Sequence, residues 1–259
     1  MDPGFRSPLV DLFRRGEVAR DVRLQAARGA LAPRVHEQLA LLIVLSDDED
    51  PEVSASAKST LDALPVEALE GFLARSDVPQ PMRDFFVARG VSAGATPAAG
   101  SEGPLGEDGE EPPPEEDDDA EPAAATVLSS LSILQRMKLA MKGTKGHRAQ
   151  LIRDSNKLVA AAVLSSPKLT TSEVESFAKM GNVSEDVLRA IAMNRQWVKN
   201  YGVISGLTKN PKTPPAISMQ MVQRLHEKDL KMLAIDRNVP EAVRLAARKF
   251  MRKGPKDMS

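Results

Sequence analysis

Residues 172–197 read SEVESFAKMGNVSEDVLRAIAMNRQW, and their pattern returns every 28 residues between 142 and 253. Asp154, Asn182, Asn210 and Asn238 stand at that step. Val159, Val187, Pro215 and Val243 follow five places later, and Ala162, Ala190, Ser218 and Ala246 eight places later. A further column holds Ala178, Gly206 and Ala234. A fixed period of this length marks a stacked repeat, because one unit cannot bury its own apolar face. Within the quoted stretch Val174, Phe177 and Ala178 fall on one side of a helix. Asn182 interrupts the run and Ser184 offers a cap. Glu185 and Asp186 sit in the next first turn, where they complement the helix dipole. Each of the blocks 142–169, 170–197, 198–225 and 226–253 is therefore predicted to hold two short helices. Small residues in the 178/206/234 column are predicted to let neighbouring helices approach closely.

The head, residues 1–92, also divides into helical segments separated by Gly, Pro and Asp: LVDLFRR, EVARDVRLQAARGAL, RVHEQLALLIVL, DPEVSASAKSTLDAL and PMRDFFVAR. A weaker echo pairs Val22/Ala26, Val53/Ala57 and Met82/Phe86 at steps of 31 and 29. About three helical pairs are expected. Residues 127–141, VLSSLSILQRMKLAM, read as one helix capping the tail, with Leu131, Ile133, Leu134 and Met137 inward. Between head and tail, residues 93–125 are rich in Pro, Gly and carboxylates, with nothing to offset ordering entropy. The fold class is all-α: two short α-solenoid (HEAT-like repeat) domains, 1–92 and 126–259, joined by a disordered acidic linker, 93–125.

A formal net charge of −1 hides an uneven layout. The head carries −4, the linker −11 and the tail +14. The linker reads as a self-repelling spacer before it reads as an internal mimic of an acidic partner. The basic tail suits an acidic protein, a nucleic acid or an anionic surface, and a solvated face fits equally well.

Composition excludes much chemistry. There is no cysteine, so disulfides and thiolate sites are ruled out. His36, His147 and His226 have no metal-ligand spacing, no phosphate-binding glycine loop occurs, and no catalytic constellation can be picked out. No catalytic, cofactor or metal residues are assigned, and an enzyme is not expected. The longest apolar run, LALLIVL at 39–45, is too short for a membrane span. No secretory signal is visible at the N-terminus, so a cytoplasmic location is expected.

The single Trp and the single Tyr, Trp197 and Tyr201, are placed four apart on one predicted helix. Trp197 shares a column with Leu169 and Leu225, which implies packing. Tyr201 shares one with Glu173 and Asp229, which implies exposure. An exposed tyrosine among Arg195, Lys199, Lys209 and Lys212 makes these five the candidate partner-binding residues. The loop KNPKTPP, 209–215, is the candidate docking element. The Asp/Asn column is read as structural, since these residues suit left-handed and cap positions.

SPLVDLFRRGEVARDVRLQAARGALAP at 7–33, LIRDSNKLVAAAVLSSPKLT at 151–170, NVSEDVLRAIAMNRQWVKNY at 182–201 and NPKTP at 210–214 resemble a bacterial family of HEAT-like or leucine-rich-variant repeat proteins to which no reaction is assigned. This chain reads DSN at 154–156 where that pattern has DPN. The resemblance implies a helical-repeat fold and a protein-binding scaffold or adaptor role. The two-part layout is also similar to a bacterial polarity co-regulator of a small Ras-like GTPase, which implies a GTPase or its activating protein as partner. The second reading is a nucleic-acid-binding module using the basic tail.

Overall fold

The acidic turn at 48–53 illustrates how the helices are punctuated. Asp50 Oδ1 accepts from the backbone N–H groups of Glu52 and Val53, at 2.9 and 3.3 Å. Pro51 then opens the helix, where its missing N–H would have had no partner. The computed structural model describes residues 2–31, 34–96, 105, 128 and 130–253. Among these residues there are fifteen α-helices and no strands, so the chain is all-α.

Six helices build the head: α1 (Pro8–Arg14), α2 (Arg20–Ala27), α3 (Val35–Leu45), α4 (Pro51–Asp62), α5 (Val66–Leu73) and α6 (Gln80–Ala88). The sequence segments had not separated α5, whose Leu69, Phe72 and Leu73 are buried. All six members of the 22/26, 53/57 and 82/86 echo are buried, and α2 packs against α4. Polar stitches join the same two helices. Arg23 reaches both oxygens of Asp48 at 2.8 Å, and the Thr60 hydroxyl donates to the Ala27 carbonyl at 2.7 Å.

The tail opens with α7 (Ile133–Lys142), started by a reciprocal cap between Ser132 and Gln135. It begins later than the 127–141 reading, because Ser132 ends the preceding turn; residues 127 and 129 lie outside the described residues. Met137 is fully buried, while Leu131, Ile133 and Leu134 lean on the core from its edge. The four 28-residue blocks then carry two helices each: α8 (Lys145–Leu151) and α9 (Lys157–Leu164), α10 (Thr171–Lys179) and α11 (Glu185–Met193), α12 (Tyr201–Lys209) and α13 (Pro215–Val222), α14 (Glu227–Leu233) and α15 (Glu241–Lys253). First helices meet first helices, α8 with α10 and α10 with α12. Second helices meet second helices, α9 with α11 and α13 with α15.

The small column does what its residues suggest. A Cβ added to Gly206 on α12 would lie 3.1 Å from the Ala178 side chain on α10, so these two helices touch nearly backbone to backbone. Val159, Val187 and Val243 are buried, each contributing on the order of 1.5–3 kcal/mol by leaving water.

The Asp/Asn column departs from expectation in conformation. Among the described residues no non-glycine has a positive φ. Asn210 instead follows α12 in an extended conformation (φ −78°, ψ 121°). That geometry turns its amide inward: Nδ2 donates to the carbonyls of Ala178 and Met180, at 2.9 and 3.0 Å. Asn182 and Asn238, in the same column, are exposed.

Head and tail meet directly. Helix α1 packs on α3 within the head and on α9 of the tail, and the buried side chains of both halves belong to one apolar cluster. Beneath this seam lies Glu37 of α3, fully buried, accepting from the Ser165 hydroxyl at 2.7 Å. Of the acidic stretch 93–125, residues 97–104 and 106–125 lie outside the described residues. Among the described residues no helix is long and apolar enough to cross a membrane.

Candidate partner-binding cleft

Of the five residues singled out by sequence, Tyr201 and Lys209 are turned to internal use. Tyr201 is half-buried at the start of α12. Its hydroxyl donates to Asp229 of α14, accepts from the His226 backbone N–H at 3.1 Å, and its ring stacks on His226 at 4.1 Å between centroids. Lys209 Nζ meets the other oxygen of Asp229 at 2.6 Å. Burial, then the neighbouring carboxylate, pushes the Tyr201 hydroxyl above its usual pKa. The Lys209 ammonium, then Tyr201, holds Asp229 below the usual carboxylate range.

The expectation that Tyr201 is exposed is therefore corrected, and the reason lies in its column. Glu173 and Asp229 seek charge partners rather than solvent. Glu173 is 4% exposed and grips Arg148 of α8 in a two-pronged pair, at 2.8 and 3.2 Å. Asp229 takes Tyr201 and Lys209. This column joins successive first helices.

Trp197 and Tyr201 also do not share a helix. Asn194 ends α11 and its Oδ1 accepts from the N–H groups of Gln196 and Trp197, at 2.9 and 3.4 Å. The chain turns there into a short 3₁₀ turn, Trp197–Lys199, before Asn200 caps α12. Lys199 and Lys212 remain at the surface, Lys199 bonding Gln196 at 3.0 Å. In the 209–215 loop, Asn210 and Thr213 are buried while Pro211 and Lys212 face outward. Other cations of the tail are likewise employed: Arg148 is buried, and Arg248 donates twice to the Ala234 carbonyl at the end of α14, at 3.2 and 3.1 Å.

Arg195 is different. It lies on the wall of a cleft of about 420 Å³ formed where the approach to α1, α9, α11 and the 3₁₀ turn converge. Each element presents its lining for a local reason. Ser7 caps α1 by accepting from Val10 N at 3.2 Å, which starts the helix so that Asp11, Leu12 and Arg15 line the cleft. Helix α9 contributes Ala160, Ala161 and Leu164; Val187, Ala190 and Met193 come from one side of α11. The Asn194 turn brings Arg195 and Trp197 to the mouth.

The lining therefore mixes apolar and charged side chains. Arg6, Arg15, Lys157, Arg189 and Arg195 line the cleft against Asp11 and Asp186, an excess of cations. Four of these cations already have surface partners: Arg6 with Asp2 and Asp11, Arg15 with Glu17, Lys157 with Asp186 and Glu17, Arg189 with Glu185. The Asp186 carboxylate raises the Lys157 pKa. Such exposed pairs are weak in water, so an incoming anion exchanges with them at small cost. Arg195 alone of the five has no hydrogen bond or ion pair among the described residues.

Sequence reasoning singled out Arg195 and not Met193, and the structure places both on the lining of this cleft. Met193 is 75% exposed, although the residues 28 positions before and after it, Ser165 and Met221, are buried. The column gives no clear signal, since its fourth member, Lys249, is exposed as well. Met193 becomes legible as a lining residue only once α11 is seen to end at Asn194 beside α1.

Comparison with family models, with curated proteins and with solved structures finds no match to this chain.

Proposed function

We propose that this chain is a protein-binding adaptor, a short α-solenoid that captures a partner in the cleft between its head and its repeats. The observation that carries this reading is the cleft itself, whose lining joins apolar side chains of α9 and α11, the exposed Met193 and Arg195, which has no partner among the described residues. Large apolar side chains exposed beside a cationic rim are characteristic of contact surfaces rather than of solvated faces. Helical arrays offer such surfaces because their curvature holds several helices against one ligand.

The test is affinity capture on the immobilised full chain, with nuclease present and a wash at moderate salt. Wild type is compared with Met193→Asp, an exposed position where the substitution leaves packing intact. A retained protein that disappears with Met193→Asp supports the adaptor reading, and a small GTPase or its activating protein among the lost species supports the regulatory form of it. Material that disappears on nuclease treatment instead assigns the tail to nucleic acid, whose binding falls steeply with salt through counterion release. Retention indifferent to Met193 removes the cleft from the function.

A further inference from the structure

We infer that the occupant of the cleft is an acidic amphipathic helix of a partner protein, seated with its apolar stripe on Met193, Trp197 and Leu164 and its carboxylates against Arg195 and Arg189. The inference rests on the adaptor reading above and names the chemistry of the partner.

Three features of the site argue for it. The first is the composition of the lining. Apolar side chains of α9 and α11 line the cleft together with an excess of cations, Lys157 and Arg189 coming from those same two helices, the complement of a helix with an apolar stripe flanked by carboxylates. The second is the state of the cations. Arg195 has no partner among the described residues, and Arg189 is held only by Glu185, one helical turn away on its own solvent face at 2.6 Å. Both guanidiniums are thus available to take carboxylates in two-pronged geometry. The third is the mouth. Met193 is long, unbranched and exposed, and it adapts to whichever apolar side chains arrive. Trp197 beside it gives the large planar contact enriched at the centre of interfaces. A nucleic-acid strand would use the cations and leave the apolar lining residues without an apolar partner.

The experiment uses the full chain and two synthetic peptides. One carries Leu at i, i+3, i+4 and i+7 with Glu at the intervening positions; its twin carries Lys in place of every Glu. Trp197 is the only tryptophan in the chain, so its emission reports occupancy of the cleft without a label. The acidic peptide is expected to shift and saturate Trp197 emission and to gain helicity on binding, while the Lys twin does neither. Arg195→Glu is expected to weaken the acidic peptide by about tenfold or more, and Met193→Asp similarly, with circular dichroism of each variant matching wild type.

The inference is overturned if the Lys twin binds as well as the acidic peptide. It is also overturned if neither substitution alters acidic-peptide binding, or if an RNA oligonucleotide or phosphatidylserine vesicles shift Trp197 with the same Arg195 dependence while the acidic peptide does not. Each of these failures leaves the capture experiment standing on its own. Partner loss with Met193→Asp would keep the adaptor and discard only the acidic helix; retention indifferent to Met193 would discard the adaptor.

Discussion

Removing the Glu173 carboxylate should be among the most damaging single changes available in the tail. Arg148 on α8 and Glu173 on α10 are 2% and 4% exposed, and together they join the first two blocks. The guanidinium spends Nε and Nη2 on the carboxylate, at 2.8 and 3.2 Å, and Nη1 on the Gly143 carbonyl at 2.9 Å. Glu173 Oε2 additionally accepts from the backbone N–H and the hydroxyl of Thr170, both at 2.9 Å, which completes the N-terminal cap of α10. Glu173→Ala therefore strands a buried cation and half dismantles a cap. Losing one partner of a buried pair costs about 3–5 kcal/mol, with the lost cap inside that figure. For a chain of this size each kcal/mol lowers the Tm by roughly 2–4 °C, so the drop should be about 6–20 °C. The double change Arg148→Met/Glu173→Leu removes both charges and should recover most of the loss, ending within about 2 kcal/mol of wild type. Urea and thermal denaturation followed by circular dichroism, run on wild type, Glu173→Ala, the single changes Arg148→Met and Glu173→Leu and their double, read the coupling directly. A loss below about 1 kcal/mol for Glu173→Ala, or strictly additive single changes, would refute the assignment of this pair as the buried join between the blocks.

The Asp/Asn column gives a sharper contrast. Asn210→Ala leaves the buried carbonyl of Ala178 and the part-buried one of Met180 without this donor and should cost about 1–3 kcal/mol, while Asn182→Ala and Asn238→Ala, exposed in the same column, should cost under about 0.5 kcal/mol; equal costs in denaturation would contradict the geometry. Gly206→Leu forces a side chain into the 3.1 Å approach to Ala178 and should lower stability by about 1–3 kcal/mol, measured as a shift in denaturation midpoint at unchanged m-value. Glu37 makes stability depend on pH. Burial pushes its carboxyl above the usual range, opposed by the nearby Ser7 and Ser165 hydroxyls and by Arg34; the Ser165 hydroxyl donates to it at 2.7 Å. A raised folded-state pKa means its contribution is fully present below the unfolded value and lost as pH rises through the folded one. Wild type should therefore lose stability relative to Glu37→Gln as pH rises above the ordinary carboxylate range, and a difference that does not change with pH would count against the buried carboxyl.

The share of this structure that was legible in the sequence is the share decided locally. Asp50, Ser132, Thr144, Thr170 and Ser184 cap their helices with their own side chains, and apolar stripes at helical spacing face inward whatever lies opposite. Capping and spacing act within one turn, so the 28-residue blocks, their paired helices and the close approach at Gly206 could all be read from residue order. A column, however, fixes only which side of a helix a residue occupies. It does not say what waits there. Glu173 and Asp229 looked solvent-seeking because carboxylates usually are; Arg148, Tyr201 and Lys209 arrive from neighbouring helices 20–28 positions away and bury them or close them off. Tyr201 was consumed in the same way.

The cleft is the most tertiary feature of all. Its walls come from around Arg6–Arg15 and from residues 157–197, and they meet only because α1 packs on α9 over the Glu37–Ser165 seam. Residue order alone determined that this chain is all-helical, built of short helices in 28-residue blocks, with a cation at 195 and an aromatic at 197. The tertiary structure decided that these two line one cleft with Met193 and the apolar side chains of α9 and α11, because that neighbourhood is set by long-range packing, which no local period encodes.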